Sequence, residues 1–119
     1  MGGSGYAAAK GGIVSLTGVT AAEGKEHGIT YNAISPLART AMSAEFFKDD
    51  ADPALDPVTV APLVVFLAAD ASPAITGETF RVARNEISVV RTTIGAPIRC
   101  NGGRWTADEI ASRVGEIVR

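Results

Sequence analysis

An α/β architecture is expected for this chain on two grounds. Apolar stretches at helical spacing alternate with short β-rich runs, in the order helix, strand, helix, strand, helix. Two strands separated by a helix form a parallel pair joined by a right-handed crossover. The 119 residues fit one domain, and 46% hydrophobic with 20% charged residues is a globular composition.

The first helix is expected over residues 6–26, followed by a strand over 29–34. A loop and short helix follow over 37–48, then an acidic linker reaching Asp56. Asp56 as N-cap and Pro57 as first helical residue open a second helix that runs to Ala69, with Asp70 and Pro73 marking its exit. Val60, Leu63, Val64, Leu67 and Ala68 form one apolar stripe at helical spacing, so this helix is expected to be buried. Its apolar run is too short for the ~20 residues that a membrane-spanning helix needs. A second strand is expected over 79–82, continuing at 87–90, and a last helix over 107–118. Thr106-Ala107-Asp108-Glu109 has the form of a capping box at the start of that helix. Two strands are too few for a complete doubly wound sheet.

Charge and cysteine content exclude several classes of partner. Eight arginines and three lysines are scattered along a chain of net charge −2, which argues against nucleic acid or an anionic membrane as the main partner. Cys100 is the single cysteine, so no internal disulfide or thiol cluster for zinc is expected, and a cytoplasmic setting is the default. Asp49, Asp50 and Asp52 lack the spacing and glycine of a calcium loop and read as a solvated linker, so no metal site is expected. His27, beside Gly28, reads as a partner of a helix C-terminal dipole. Phe46 and Phe47 fit either a substrate entrance or helix burial, and Trp105 either a contact to a neighbouring subunit or an anchor on the chain's own core.

The chemistry is concentrated in Tyr6-Ala7-Ala8-Ala9-Lys10. A spacing of four stacks the tyrosine and lysine on one helical face. A lysine ammonium beside a phenol favours the phenolate, and so makes an acid of ordinary pKa about 10 usable as a proton donor and acceptor near neutrality. An ordinary helix start is the other reading of the same residues. Gly3, Gly5 and Ala8 fit the loose dinucleotide fingerprint G-x-G-x-x-A, but that fingerprint needs a preceding strand and an acidic residue closing a second strand. No strand is expected before Gly3, and Glu23 and Glu26 fall in continuing helix. Gly2-Gly3-Ser4-Gly5-Tyr6 also departs from a nucleophile elbow, because Tyr6 stands where the last glycine belongs.

Two further segments supply context. Tyr31-Asn32-Ala33-Ile34-Ser35-Pro36-Leu37-Ala38-Arg39-Thr40 reads as a strand entering a proline-bounded loop, and Ala74-Ile75-Thr76-Gly77-Glu78-Thr79-Phe80-Arg81-Val82 as a turn feeding a strand. In this order, and with Tyr6 and Lys10, they resemble the C-terminal half of a short-chain dehydrogenase/reductase over residues 5–91. Gly102-Gly103-Arg104-Trp105-Thr106-Ala107-Asp108-Glu109 is similar to the ending of the 3-hydroxyacyl-CoA dehydrogenase domains of multifunctional β-oxidation enzymes.

The resemblance implies a single partial domain over residues 1–119, the C-terminal part of a Rossmann-like doubly wound parallel sheet. The family's nucleotide-binding half, with its glycine-rich loop, and its catalytic serine would lie before Met1. By carry-over Tyr6 exchanges a proton with an alcohol or ketone oxygen while hydride passes to or from NAD or NADP. Lys10 would assist Tyr6 and hydrogen-bond the nicotinamide ribose, Pro36 would shape the loop beside the nicotinamide, and Thr40 would contact its carboxamide or the pyrophosphate. Leu37 and Ala83-Arg84-Asn85 depart from the family pattern, standing where glycine is usual. A homo-oligomer is implied, because the helices equivalent to residues 6–26 and to the segment after Thr40 make subunit contacts in the family. The isolated chain is expected to be inactive and marginally stable, the alternative being a non-catalytic remnant that serves as an oligomerisation module.

Overall fold

Ser4–Gly24 forms helix α1 in the computed structural model, which describes residues 3–72, 74–100 and 102–118. Alanines 7–9 favour the helix, and Thr17 and Thr20 keep their hydroxyls satisfied inside it by donating back to Ile13 O at 2.8 Å and Leu16 O at 2.9 Å. A short 3₁₀ turn, Lys25–His27, tightens the end. Gly28 then reverses the chain at φ 66°, donating to Lys25 O, while Ile29 N–H reaches Gly24 O at 3.0 Å. Gly24 sits under this reversal: a Cβ there would lie 2.6 Å from Tyr31 Cε2 and 2.9 Å from Ile29 O.

The first strand, β1, is Ala33–Leu37, displaced from the expected 29–34. The residues before it spend their hydrogen bonds on a distant turn instead of a strand ladder. Tyr31 N–H donates to Thr76 Oγ1 at 3.0 Å, and the Asn32 amide donates to Ile75 O at 2.8 Å while accepting from Glu78 N–H at 3.2 Å. The ladder begins where Ala33 N–H donates to Glu78 O at 2.9 Å. Ala33 therefore faces its neighbour strand, and the alternate residues Ile34 and Pro36 turn their backbone to the sheet's open edge. Pro36 is tolerated within the strand because its missing N–H falls on that edge.

β1 pairs in parallel with β2, Thr79–Ala83, with Ala33 opposite Thr79 and Leu37 opposite Ala83. This is the expected parallel pair. The residues beyond Ala83 do not continue β2, as expected from sequence, but fold back as β3, Glu86–Val90, antiparallel to it. The sheet is thus three-stranded and mixed, in the order β1-β2-β3. Arg84 makes the turn at φ 57°, in the left-handed region that favours glycine or asparagine.

The connection from β1 to β2 passes through α2, Ala61–Ala68. Asp56 caps the turn that leads into it, its Oδ1 accepting from Val58 N–H at 2.8 Å, with Pro57 next. The first turn, Pro57–Val60, is 3₁₀ rather than α. The cause is Pro62, which has no N–H for the bond that an α-helix would make to Val58 O, and Ala61 N–H takes that carbonyl instead. Ser72 closes the far end by donating its hydroxyl to Leu67 O and Ala69 O, whereas Pro73 lies outside the described residues.

Burial of α2 is weaker than expected. Leu63 is buried and Val60 and Leu67 half-buried, but Val64, Val65 and Phe66 remain exposed. The core is correspondingly small: Ala21, Ala33, Leu55, Leu63, Val82 and Ala83, of which Leu55 is fully buried.

The acidic segment is a bridge rather than a solvated linker. Asp50 and Asp52 both pair with the Arg84 guanidinium. Arg84 holds the Asp50 carboxyl below its ordinary range; for Asp52 the Ala54 N–H is the larger cause and Arg84 the next.

The last helix, α3, is Ala107–Ile117, and Thr106 Oγ1 accepts from Glu109 N–H at 3.2 Å in the expected cap. Arg113 on this helix donates to Glu116 and to Arg99 O, and lies 5.3 Å from the centroid of Trp105. Trp105 thereby packs on its own tail, beside Ile98, Ile110 and Ile117. No described helix is long and apolar enough to cross a membrane.

Candidate functional site

The first turns of α1 and the strands form the two walls of an open cleft of about 430 Å³. Residues 6, 10, 13 and 14 recur at helical spacing, so α1 turns Tyr6, Lys10, Ile13 and Val14 to the same side. Ala33, Ile34, Ser35 and Pro36 of β1, with Thr79 and Val90, make the opposite wall. The cleft is mostly apolar, and Tyr6, Lys10, Ser35 and Thr79 are the lining residues with polar side chains.

Lys10 Nζ lies 5.5 Å from the Tyr6 ring centroid, a cation–π separation. Both side chains are exposed, and the tyrosine retains 67% of its accessible surface. The pair is therefore open on one side. Its positive charge is available both to the phenol and to any hydroxyl or anion entering the cleft.

Of the sequence-predicted residues, Tyr6, Lys10 and Pro36 meet in this cleft and Thr40 does not line it. Thr40 belongs to a turn built by Ser43, whose Oγ accepts from Thr40 N–H at 2.9 Å and donates to Ala38 O at 2.7 Å. The Thr40 and Ser43 hydroxyls are 3.2 Å apart. Leu37, in the place of the usual glycine, is half-buried. Sequence reasoning did not single out Ile13 and Val14 as cleft walls, although their spacing from Tyr6 and Lys10 carries that signal. Ser35, to which the sequence assigned no role in the site, also lines the cleft. Among the described residues no group of three or more histidine, cysteine, aspartate or glutamate side chains is arranged to hold a metal ion.

A family model described as Enoyl-(Acyl carrier protein) reductase matches residues 2–84. The chain is 38% identical over 120 residues to hydroxyacyl-CoA dehydrogenase ChsB1 of Mycobacterium tuberculosis, covering 94% of this chain and 38% of that protein. It is 36% identical over 107 residues to peroxisomal multifunctional enzyme type 2 of Mus musculus, covering 88% of this chain and 14% of that protein. A crystal structure of a short chain dehydrogenase from Mycobacterium avium superposes with a TM-score of 0.76 at 35% identity, covering 95% of this chain and 36% of that one. The chain thus spans well under half the length of the relatives it matches, and its sheet and helices correspond to part of a Rossmann-like fold. With a matching model over more than half of its residues and relatives similar along nearly all of it, the chain belongs to the short-chain dehydrogenase/reductase family.

Proposed function

We propose that this chain carries the catalytic-helix half of an NAD(P)-dependent dehydrogenase that interconverts an alcohol and a ketone, with a 3-hydroxyacyl-CoA as the substrate class. The observation that carries the reading is the cleft in which Tyr6 and Lys10 face Pro36. The substrate class rests on the resemblance of the tail and on the printed names of two relatives, one a hydroxyacyl-CoA dehydrogenase and one a peroxisomal multifunctional enzyme.

The residues present fit the nicotinamide end of such a coenzyme. Ile13, Val14 and Ile34 offer an apolar wall to a flat ring, and Lys10 offers a cationic donor to ribose hydroxyls. Thr40, outside the cleft lining, would contribute only after the Ser43 turn rearranges. When bound, the nicotinamide supplies or takes up the hydride. Tyr6 Oη takes the hydroxyl proton in the oxidative direction and returns one to the carbonyl oxygen in the reductive direction. Lys10 stabilises the negative charge left on the phenol oxygen and positions the ribose. The chain spans 38% of the hydroxyacyl-CoA dehydrogenase it resembles, so the pyrophosphate half of the coenzyme would draw on the remainder of such a protein. We expect the 119-residue chain alone to bind NADH or NADPH weakly and to lack turnover, and the working protein to be a homo-oligomer in the cytoplasm.

Joining this chain to the nucleotide-binding portion of the Mycobacterium avium relative tests the reading. The chimera should oxidise a 3-hydroxyacyl-CoA with NAD or NADP, and Tyr6→Phe should lower kcat by roughly 10²–10⁴-fold without changing coenzyme affinity more than slightly. A chimera that binds coenzyme yet shows no oxidation, or a fully active Tyr6→Phe, overturns it.

The exposed apolar residues Leu16 and Val19 on α1, and Val64 and Val65 on α2, favour a second reading, a non-catalytic oligomerisation module. The chimera separates the two, since a module alone would associate without turnover.

A further inference from the structure

We propose that Arg84 is a positioning residue: by bridging Asp50 and Asp52 it pins the segment between β1 and α2 to the turn of the β2–β3 hairpin. Its consequence for catalysis, holding the loop that leaves the cleft wall just after Pro36, rests on the function proposed above.

The backbone at Arg84 is the first ground. Arginine occupies a left-handed conformation, φ 57°, that glycine or asparagine adopts more readily. What an arginine adds there, and glycine cannot, is a guanidinium that reaches two carboxylates.

Those carboxylates are aimed in advance. Asp50 uses Oδ1 to accept from Asp52 N–H at 3.1 Å, and Asp52 uses Oδ1 to accept from Ala54 N–H at 2.9 Å. Each thereby leaves Oδ2 for Arg84, while a backbone N–H holds its other oxygen. The bridge spans more than thirty residues of sequence, so it ties elements that no local bond connects.

The pinned segment is internally braced, so a tether at residues 50 and 52 acts on all of it. Arg39 donates its guanidinium to Asp50 O and its backbone N–H to Leu55 O at 2.7 Å, and Leu55 is fully buried. The register sets Leu37 opposite Ala83, so the segment leaves the sheet at the end where the hairpin turns. Arg84, Asp50 and Asp52 keep about a third of their side-chain surface, at 37, 35 and 33%, so the bridge is open to screening by salt.

Hydrogen–deuterium exchange on the full 119-residue chain, which needs neither coenzyme nor substrate, tests the tether apart from the catalytic reading. Arg84→Asn retains a residue suited to the turn and removes the guanidinium. It should speed exchange of the Arg39, Ala54 and Leu55 amides by roughly three- to tenfold, leave the hairpin amides of residues 79–90 unchanged, and be partly rescued by Arg84→Lys. In the wild type about 1 M salt should move the same amides toward the Arg84→Asn rates, whereas that variant should be insensitive to salt. Exchange within about twofold of wild type in Arg84→Asn, or an equal salt response in both proteins, overturns the proposal. If Arg84→Asn unfolds the hairpin as well, the wild-type salt series decides: selective acceleration of residues 39–55 supports the tether and none refutes it.

Discussion

Gly24 and the Tyr6–Lys10 pair show how differently single residues are written into this chain. The pair shares a helical face by spacing alone, so its juxtaposition was legible before the fold was known. Gly24 carries no such signal, because the atoms that exclude a side chain there belong to Tyr31 and Ile29 after the chain has reversed. Gly24→Ala should destabilise the fold by about 1–3 kcal/mol, seen as a lower urea midpoint, because the added methyl meets backbone as well as a ring. The Arg84 bridge was likewise illegible, since its partners lie in a segment that looks solvated when read alone. It makes a pH prediction. Asp50 and Asp52 have native pKa values below the ordinary 3.8, so their contribution is present above that value and is lost as pH falls through the lowered ones. The chain should therefore be less stable to urea at pH 3 than at pH 6, and Arg84→Asn should reduce that difference.

At the scale of elements, legibility follows the range of the interactions that set each boundary. The caps at Asp56 and Thr106 are local, and both appear where the sequence places them. Thr106→Ala should weaken α3 by about 0.5–2 kcal/mol, detectable as lost helical circular dichroism, because Glu109 N–H loses the Thr106 hydroxyl. The start of β1 is set instead by Asn32 and Thr76 bonding across more than forty residues, which no window of sequence reveals. The 3₁₀ opening of α2 was available in principle from Pro62, whose effect falls four residues upstream. β3 was visible as a strand, but not as a hairpin partner, because Arg84-Asn85 lacks the glycine that commonly marks such a turn.

The whole molecule is extended for its length, and this decides how it should behave in solution. Its radius of gyration is 19.8 Å, where a compact domain of this size has about 13–14 Å. Among the described residues six buried apolar ones make a small core, while Leu16 and Val19 on α1 and Val64 and Val65 on α2 face outward. β1 also carries an open edge, on which Pro36 withholds one donor but Ile34 still offers a backbone N–H and C=O. Removing such surface from water is worth about 25 cal/mol per Å², a strong drive to association when so little is buried within the chain. We therefore expect the 119-residue chain to sediment as an oligomer or aggregate at micromolar concentration. Leu16→Glu combined with Val19→Glu should shift it toward monomer without lowering the helical content of α1, since both positions are exposed and helix-compatible. Val65→Glu reports separately on the α2 face. A wild-type chain that sediments as a monomer and melts cooperatively well above about 50 °C would show that this small core suffices by itself, and would remove association from the account of its stability.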